Sequence, residues 1–193
     1  MGIGLRNTWT TFTAGEAERI TGVSTATQRD WRRRGFFHSE GDGWTKYQLE
    51  DLGQLLVMRV LQDRGIGPSV SCHIARAAGL RLAFFALNWT DSIEDNTGGA
   101  FEKIVRKGKR PRGGHFVGWV GTSDDPPKYL VAWADGTSDL VSDIGSAFQG
   151  SMFDAKYHGA AIVLDLDALG AVIGRRAGRP FVTVDLVEKY KPS

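Results

Sequence analysis

The sequence predicts an α+β protein, with an N-terminal winged helix-turn-helix domain and a small C-terminal α+β module that contains an antiparallel sheet. Two short amphipathic stretches on either side of Gly22-Val23-Ser24 predict the helix-turn-helix. The second half of the chain has short apolar runs separated by turn residues, which predicts strands. We expect a first domain over residues 1–80, a connecting helix and basic linker over 81–114, and the C-terminal module over 115–193.

The first predicted helix begins after Thr13 and ends before Gly22. Thr13 is a favourable N-cap residue, and Glu16 three residues later completes a capping box, in which side chains and main chain satisfy each other's hydrogen bonds. Apolar residues then recur on one face of the helix. Gly22 suits the left-handed conformation that closes a last helical turn, so the turn of the motif follows it directly.

The second predicted helix runs from Thr25 to Arg34, with Ser24 as its N-cap and Gly35 at its end. On a helical projection, Trp31 lies on the side that faces the core. The polar residues that remain for contacts with a partner are Thr25, Gln28, Arg29, Arg32 and Arg33. Guanidinium groups bind guanine edges or phosphates, and hydroxyl and amide groups make adaptable contacts to bases. We therefore expect this helix to read DNA.

A hairpin is expected after the second helix. Phe36-Phe37 begins an apolar strand, and Gly41 and Gly43 suit a tight turn between residues 38 and 45. The returning arm consists of Trp44, Lys46 and Tyr47. A basic hairpin beside a helix-turn-helix is a wing, which we expect to lie along a DNA backbone or a minor groove.

A long apolar helix is predicted from Gln48 to Arg64, because leucines and a valine repeat there at helical spacing. Gly65 ends this helix, and Pro68 favours a new helix that starts at Ser69.

Six pieces of this region carry a resemblance to a known family. The pieces are Phe12–Ala17, Thr21–Ser24, Thr27–Gly35, Trp44–Tyr47, Leu49–Leu52 and Asp63–Gly65. In this order they resemble the DNA-binding domain of the MerR family of winged-helix regulators. The resemblance implies that the helix from Thr25 enters the major groove of double-stranded DNA and that the wing flanks it. The DNA-binding residues that we expect are Ser24, Thr25, Gln28, Arg29, Arg32, Arg33, Lys46 and Tyr47.

The chain departs from the family pattern at three places. Gln28 stands where the family usually has leucine, and Asp30 where it often has an aromatic residue. A carboxylate beside phosphate would be repelled, so we expect Asp30 to pair with an arginine. The long coiled-coil helix that usually follows the domain is also missing, because Leu80–Trp89 is short and Thr90–Gly99 is typical of a loop. Short MerR-like domains of this kind also occur in phage and prophage repressors.

Residues 103–114 combine glycines, a proline and a dense run of positive charge. Two interpretations stay open: a solvated loop, and a second contact with phosphate. The basic residues of this run are Lys103, Arg106, Lys107, Lys109, Arg110 and Arg112.

The C-terminal module is predicted to contain a small antiparallel meander. Asp135-Gly136 is a strong hairpin signal, and residues 124–127 predict a second turn. The expected strands are Phe116–Val120, Lys128–Trp133, Leu140–Val141, Ala160–Leu166 and Phe181–Val187. Asp167 is the expected cap of a short helix that ends at Ile173.

The sequence argues against an enzyme or a metal site. Cys72 is the single cysteine, so no disulfide can form within the chain, and the four histidines show no ligand spacing. Asp165 and Asp167 are better explained as the end of a strand and a helix cap than as a catalytic pair. We therefore predict no cofactor. A small-molecule effector in an aromatic pocket stays open as an alternative, with no residue pattern that supports it.

The most favoured function is a sequence-specific DNA-binding transcriptional regulator, a repressor that acts by promoter occupancy as a homo-oligomer through its C-terminal module. One alternative is an architectural protein of the excisionase or DNA-packaging type, and another is a protein-interaction adaptor that does not bind DNA. The sequence shows no signal peptide and no run of about 20 apolar residues, so we expect no membrane span and a location in the bacterial cytoplasm or nucleoid.

Overall fold

The computed structural model describes residues 2–37, 46–108, 111–117, 126–133, 135–149 and 160–189. The fold is mixed α+β: an N-terminal helix-turn-helix domain of four helices precedes a region with antiparallel strands. The helices are α1 (Ala14–Thr21), α2 (Thr25–Arg33), α3 (Leu49–Gln62), α4 (Pro68–Leu87), α5 (Ala100–Gly108), α6 (Ile144–Phe148) and α7 (Leu166–Ala177), and a 3-10 turn spans Arg112–His115. The strands are β1 (Gly2–Trp9), β2 (Ile93–Asn96), β3 (Tyr129–Trp133), β4 (Ser138–Val141), β5 (Ala161–Asp165) and β6 (Val182–Lys189).

The caps of the first two helices are confirmed. The Thr13 hydroxyl accepts a hydrogen bond from the N–H of Glu16, and the Glu16 carboxylate accepts one from the N–H of Thr13 at 2.7 Å. Gly22 ends α1 in the left-handed conformation, with φ of 76°. Ser24 then caps α2 by accepting from the N–H of Thr27. Local side chains therefore fix where both helices begin and end.

Helix α4 is one continuous element of 20 residues. The connecting segment expected over residues 81–114 therefore does not begin with a helix of its own, and the expected domain boundary at residue 80 lies inside α4. Gly79 did not end the helix because α3 crosses it closely: a Cβ on Gly53 would lie 3.4 Å from the Cα of Gly79. Glycines at this crossing allow the two helices to approach, so burial outweighs the helix cost of glycine.

Helix α4 is also long and apolar enough to cross a membrane by length and composition alone. Most of its apolar window, 61%, is buried inside the protein, where it packs between α3 and α7. A core helix passes the same test, so this apolar character is explained by the fold.

The two ends of the chain meet in one sheet, in the order β1-β6-β2. Strand β1 runs antiparallel to β6, with Gly2 opposite Lys189 and Trp9 opposite Val182. Strand β2 runs parallel to β6 and lies within residues 90–99, which the sequence pattern had indicated as loop. That prediction is wrong because the pairing of β2 depends on a strand almost 90 residues further along the chain, which a local pattern cannot reveal.

A second sheet has the order β4-β3-β5 and is antiparallel throughout. The predicted hairpin at Asp135-Gly136 is confirmed: Gly136 has φ of 85°, and the Asp135 carboxylate accepts from the N–H of Thr137 at 2.9 Å. Phe116 and Val117 lie in a turn rather than in the expected strand, and residues 118–120 and 124–125 fall outside the described residues.

Helix α7 begins earlier than predicted and is longer. Its cap is Asp165, whose carboxylate accepts from the N–H groups of Asp167 and Ala168, so the expected cap at Asp167 is corrected. The helix continues past Ile173 to Ala177 because Gly178, with φ of 70°, is the residue that closes it.

The expected linker at residues 103–114 is largely helical. Helix α5 occupies its first half and the 3-10 turn much of its second half, so the prediction of a loop is corrected. The segment is helical because an apolar residue just outside the basic run fixes it to the core. Phe101 is buried against Phe116, with ring centroids 5.4 Å apart. Buried side chains from both halves of the chain then form one continuous core.

Candidate nucleic-acid interface

Helix α2 has one buried face and one solvent-exposed face. Trp31 is 2% exposed and anchors the buried face in the core. Arg29 and Arg33 are exposed on the other face, and Arg32 is half-buried. The prediction that Trp31 holds the helix by its indole ring is confirmed, and two of the arginines expected to contact DNA face solvent.

Gln28 does not lie on the exposed face and is corrected as an expected DNA contact. It is 0% exposed, and its Nε2 donates to the carbonyl oxygens of Val23 at 2.8 Å and Ala14 at 3.1 Å. The side chain thereby joins α2 to α1 and to the turn between them. Its spacing of three residues from Trp31 places both on one helix face, and this signal identifies Gln28 as a core residue.

Ser24 and Thr25 lie at the N-terminus of α2 and are half-buried. The Ser24 hydroxyl is engaged with the main-chain N–H of Thr27 at 3.1 Å and with its hydroxyl at 2.8 Å. The N–H of Thr25 donates to the Glu18 carboxylate at 3.1 Å. The main contribution of Ser24 is therefore to cap the helix, while Thr25 stays at the border of the exposed face.

Asp30 lies between two arginines of its own helix turn, as predicted. Its carboxylate is 2.6 Å from Arg33 and 3.0 Å from Arg34. The hydrogen bond from Arg33 lowers the pKa of Asp30 below its usual range, with Arg34 acting in the same direction and desolvation opposing. The negative charge of Asp30 is thus balanced within α2, which leaves the helix surface positive around Arg29.

Tyr47 is also corrected as an expected DNA contact. It is 0% exposed, its ring lies 5.8 Å from that of Phe37, and its main chain exchanges two hydrogen bonds of 2.8 Å with Phe12. Burial raises the pKa of the Tyr47 hydroxyl. Lys46 beside it is exposed. Residues 38–45, with Gly41, Gly43 and Trp44, lie outside the described residues, so the wing stays a prediction.

Arginines from the second half of the chain hold the helix-turn-helix in place, which sequence reasoning missed. Arg176 donates to the carbonyl oxygen of Ile20 at 3.1 Å, and Arg19 donates in return to those of Arg176 and Ala177. These bonds join the C-terminus of α1 to the C-terminus of α7. No local signal reveals them, because the partners are more than 150 residues apart.

The Arg176 and Arg19 contacts form one clamp, meaning a set of bonds that holds α1 against the second half of the chain. A second clamp lies at the N-terminus of α1. Arg179 donates to the carbonyl oxygen of Thr11 and pairs with the Glu16 carboxylate, both at 2.9 Å, and its guanidinium lies 4.8 Å from the centre of the Phe12 ring. The exposed arginines of α2 take no part in either clamp. The helix that is expected to read DNA is therefore presented outward from a scaffold that both halves of the chain support.

The carboxylates singled out from the sequence have structural partners. Asp165 caps α7, and Asp167 pairs with Lys128 at 3.3 Å. The hydrogen bond to Asp167 is the largest cause of a raised pKa at Lys128. Across the part of the chain that the structure describes, no group of three His, Cys, Asp or Glu residues is placed to hold a metal ion.

A cavity of about 420 Å³ lies between the α3–α4 turn and the β3–β5 sheet. Val70, Trp133 and Ile162 are among its lining residues. Its lining is mostly apolar, which is compatible with the open alternative of a small-molecule effector.

Comparisons with known proteins agree with this geometry. Residues 12–76 match the family model described as MerR HTH family regulatory protein. The matched range runs from Phe12 through α4 as far as Arg76, and it contains the whole helix-turn-helix. A search of curated proteins found no match. The first third of the chain thus carries a MerR-like helix-turn-helix, the type of domain found in DNA-binding regulators.

Proposed function

We propose that this chain, whose residues 12–76 form a MerR-like helix-turn-helix domain, is a sequence-specific transcriptional regulator that binds double-stranded DNA in the bacterial cytoplasm or nucleoid. The observation that carries the proposal is the position of Arg29, exposed on a helix whose other face is fixed by Trp31 and Gln28. A rigid helix with an exposed guanidinium fits the donor and acceptor pattern of the major groove.

The proposed contacts divide by chemistry. Thr25 and Arg29 face the base edges, because they lie one turn apart in the first half of α2, on its outward side. Arg32, Arg33 and Lys46 bind phosphates, where a diffuse positive charge is sufficient. Gln28 and Tyr47 leave the proposed set because both are buried, and Ser24 acts through the helix cap.

Repression by occupancy is the proposed mode of regulation. After α4 ends at Leu87, the described chain turns into β2 and joins the sheet with β6, so α4 is not followed by a long dimerisation helix. Without such a helix, the described residues contain no element that could distort promoter DNA mechanically. Occupancy of a promoter needs only affinity and specificity.

The sheet formed by β1, β6 and β2 is proposed as the interface of a homo-oligomer. Leu5 and Leu186 lie opposite each other on neighbouring strands and are 36% and 44% exposed. Leu186 shares its face with Val182 and Val184, which are fully buried. The apolar face of the sheet therefore extends beyond the core that it covers.

The proposed occupant of this extension is a second copy of the chain. Strand β1 lies at the edge of its sheet, and among the described strands none pairs with its outer side. An antiparallel edge is complementary to itself about a two-fold axis, and two copies related in this way present two reading helices to two half-sites.

Selection of binding sites from random duplexes by the full-length protein tests the proposal. We expect a discrete consensus with two inverted half-sites and an affinity that falls steeply with salt. A set of selected sequences without any consensus would contradict sequence-specific regulation. Phased direct repeats would instead favour the architectural alternative.

A further inference from the structure

We infer that α5 is a second DNA contact, in which Lys103, Arg106 and Lys107 bind phosphates of the same duplex that α2 reads. The ligand is the sugar-phosphate backbone of double-stranded DNA, bound without regard to base sequence. This inference rests on the proposed DNA-binding function and assigns a role to a helix that lies outside the matched range of residues 12–76.

Helix α5 is fixed to the fold along one face. Phe101 is 3% exposed and contacts the ring of His115 edge-on and the tilted ring of Phe116, at centroid distances of 6.1 and 5.4 Å. Its N–H donates to the Thr97 hydroxyl at 2.8 Å, which holds the start of the helix. Beyond it, Gly113 packs so closely on α4 that a Cβ there would collide with a main-chain carbonyl. A helix held in this way keeps its basic face directed outward.

The three cations of this face are available to an external anion. Lys103, Arg106 and Lys107 are exposed, and within the described ranges their side chains make no ion pair or hydrogen bond. Glu102, the carboxylate of α5, is paired with Arg112 and so does not offset them. Six cations elsewhere in the described ranges, in contrast, form ion pairs with carboxylates: Arg6, Arg33, Arg34, Arg59, Lys128 and Arg179.

Phe116 lies between α5 and the segment that follows the expected wing. Phe116, which packs against α5, lines a cavity of about 200 Å³ together with Gln48 and Leu49. Lys46, an expected phosphate contact, lies two residues before Gln48. Through Phe101 and Phe116, α5 is thus packed close to the segment that follows the expected wing.

The size of α5 suits a contact that lengthens the binding site. With nine residues, the helix is roughly 13 Å long, which is about four base pairs of duplex. Its three cations therefore add phosphate contacts at the edge of the site and no base contacts. The expected result is greater affinity for a long duplex than for one trimmed to the half-sites.

The test uses full-length protein and a duplex taken from the selection experiment, with and without random flanks. The variant is Lys103→Ala, Arg106→Ala and Lys107→Ala together. Each phosphate contact contributes about 0.9 to the steepness of log affinity against log salt, so the variant's slope is expected to be shallower by about 2 to 3, with affinity at least about 100-fold lower at low salt. The variant also loses the advantage of the flanked duplex.

Two controls keep the test decisive. Lys103→Arg, Arg106→Lys and Lys107→Arg retain the charges and are expected to behave as wild type. Arg6→Ala, Lys128→Ala and Arg175→Ala remove three cations outside α5, two exposed and one half-buried, and are expected to leave the slope unchanged. Circular dichroism verifies that each variant folds.

An alanine variant that folds and keeps the wild-type slope on the flanked duplex overturns the inference alone, and α5 then serves another partner, such as an acidic protein. Wild-type protein that shows no salt-sensitive affinity for any duplex defeats the proposed function as well. The two failures are therefore distinguishable.

Discussion

Gln28 is a polar side chain in an apolar position between α1 and α2. Its amide nitrogen bonds two main-chain carbonyls, while its Oε1 is buried without a partner among the described residues. An unpaired buried oxygen costs free energy, and this cost offsets much of what the two hydrogen bonds contribute. Gln28 therefore connects α1 and α2, and leucine could replace it at little cost in stability.

Gln28→Leu is predicted to leave the free energy of unfolding within about 1 kcal/mol of wild type, because apolar burial replaces the lost hydrogen bonds. Affinity for the selected duplex should stay within about twofold. Denaturant unfolding and fluorescence anisotropy measure the two quantities. A large loss of affinity by a folded variant would mean that Gln28 leaves the core to contact DNA.

Glu16 links stability to pH at the start of α1. The N–H of Thr13 is the largest cause of its lowered pKa, and the Thr13 hydroxyl and Arg179 act in the same direction against desolvation. Because the folded pKa lies below the unfolded one, this stabilisation is present above the unfolded pKa and is lost as pH falls through the folded pKa.

Glu16→Gln is predicted to flatten the acid side of the stability profile. Between about pH 5 and about pH 3, the free energy of unfolding should fall less steeply in the variant than in wild type. Unfolding in denaturant at several pH values measures the slope. Parallel profiles for the two proteins would show that Glu16 has the same pKa in both states.

Several residues were predictable because their cause is local. The capping box of Thr13, the left-handed Gly22 and the pairing of Asp30 depend on neighbours within four residues. The burial of Tyr47 could not be predicted in this way, because it depends on a β-bridge to Phe12, which lies 35 positions earlier.

At the scale of elements, α7 and the segment directly after it support α1 at both ends. Arg176 binds the end of α1, and Arg179 binds the segment before it. Helix boundaries were predictable from caps, but this docking was not, since it joins main-chain carbonyls to side chains far away in sequence. The strands β1 and β2 escaped prediction for the same reason, while the β3–β4 hairpin, with its own turn, did not.

Arg179→Ala is predicted to lower the free energy of unfolding by about 1 kcal/mol, because it removes a charged hydrogen bond, a partly exposed ion pair and a cation–π contact. Arg175→Ala is the matched control on the exposed side of α7 and should change it by less than about 0.5 kcal/mol. If the two changes had equal effects in thermal or denaturant unfolding, the contacts of Arg179 would not be what stabilises the start of α1.

At the scale of the whole molecule, the chain closes on itself. Strand β1 precedes the helix-turn-helix, β6 ends the described chain, and the two pair along eight residues each. The proposed dimer surface lies on this sheet, while α2 and the basic face of α5 carry the proposed contacts with DNA. Sequence patterns predicted the α+β class, but the common core came only from these long-range pairings.

Leu5→Lys with Leu186→Lys is predicted to convert a dimer into a monomer, because it places like charges of both copies in the apolar face that the second copy is proposed to cover. Sedimentation velocity measures the mass. Val163→Lys, an exposed position on the other sheet, is the control and should leave the dimer intact. A wild-type protein that is monomeric at micromolar concentration and on DNA would rule out this surface as an interface.

The central claim is that α2 reads DNA through Arg29. The most direct measurement compares full-length wild type and Arg29→Ala on the selected duplex and on a scrambled duplex of equal length. We predict a loss of specific affinity of about 5- to 150-fold, equivalent to about 1–3 kcal/mol, with little change on the scrambled duplex. Equal affinity of the two proteins for the selected duplex would contradict the account.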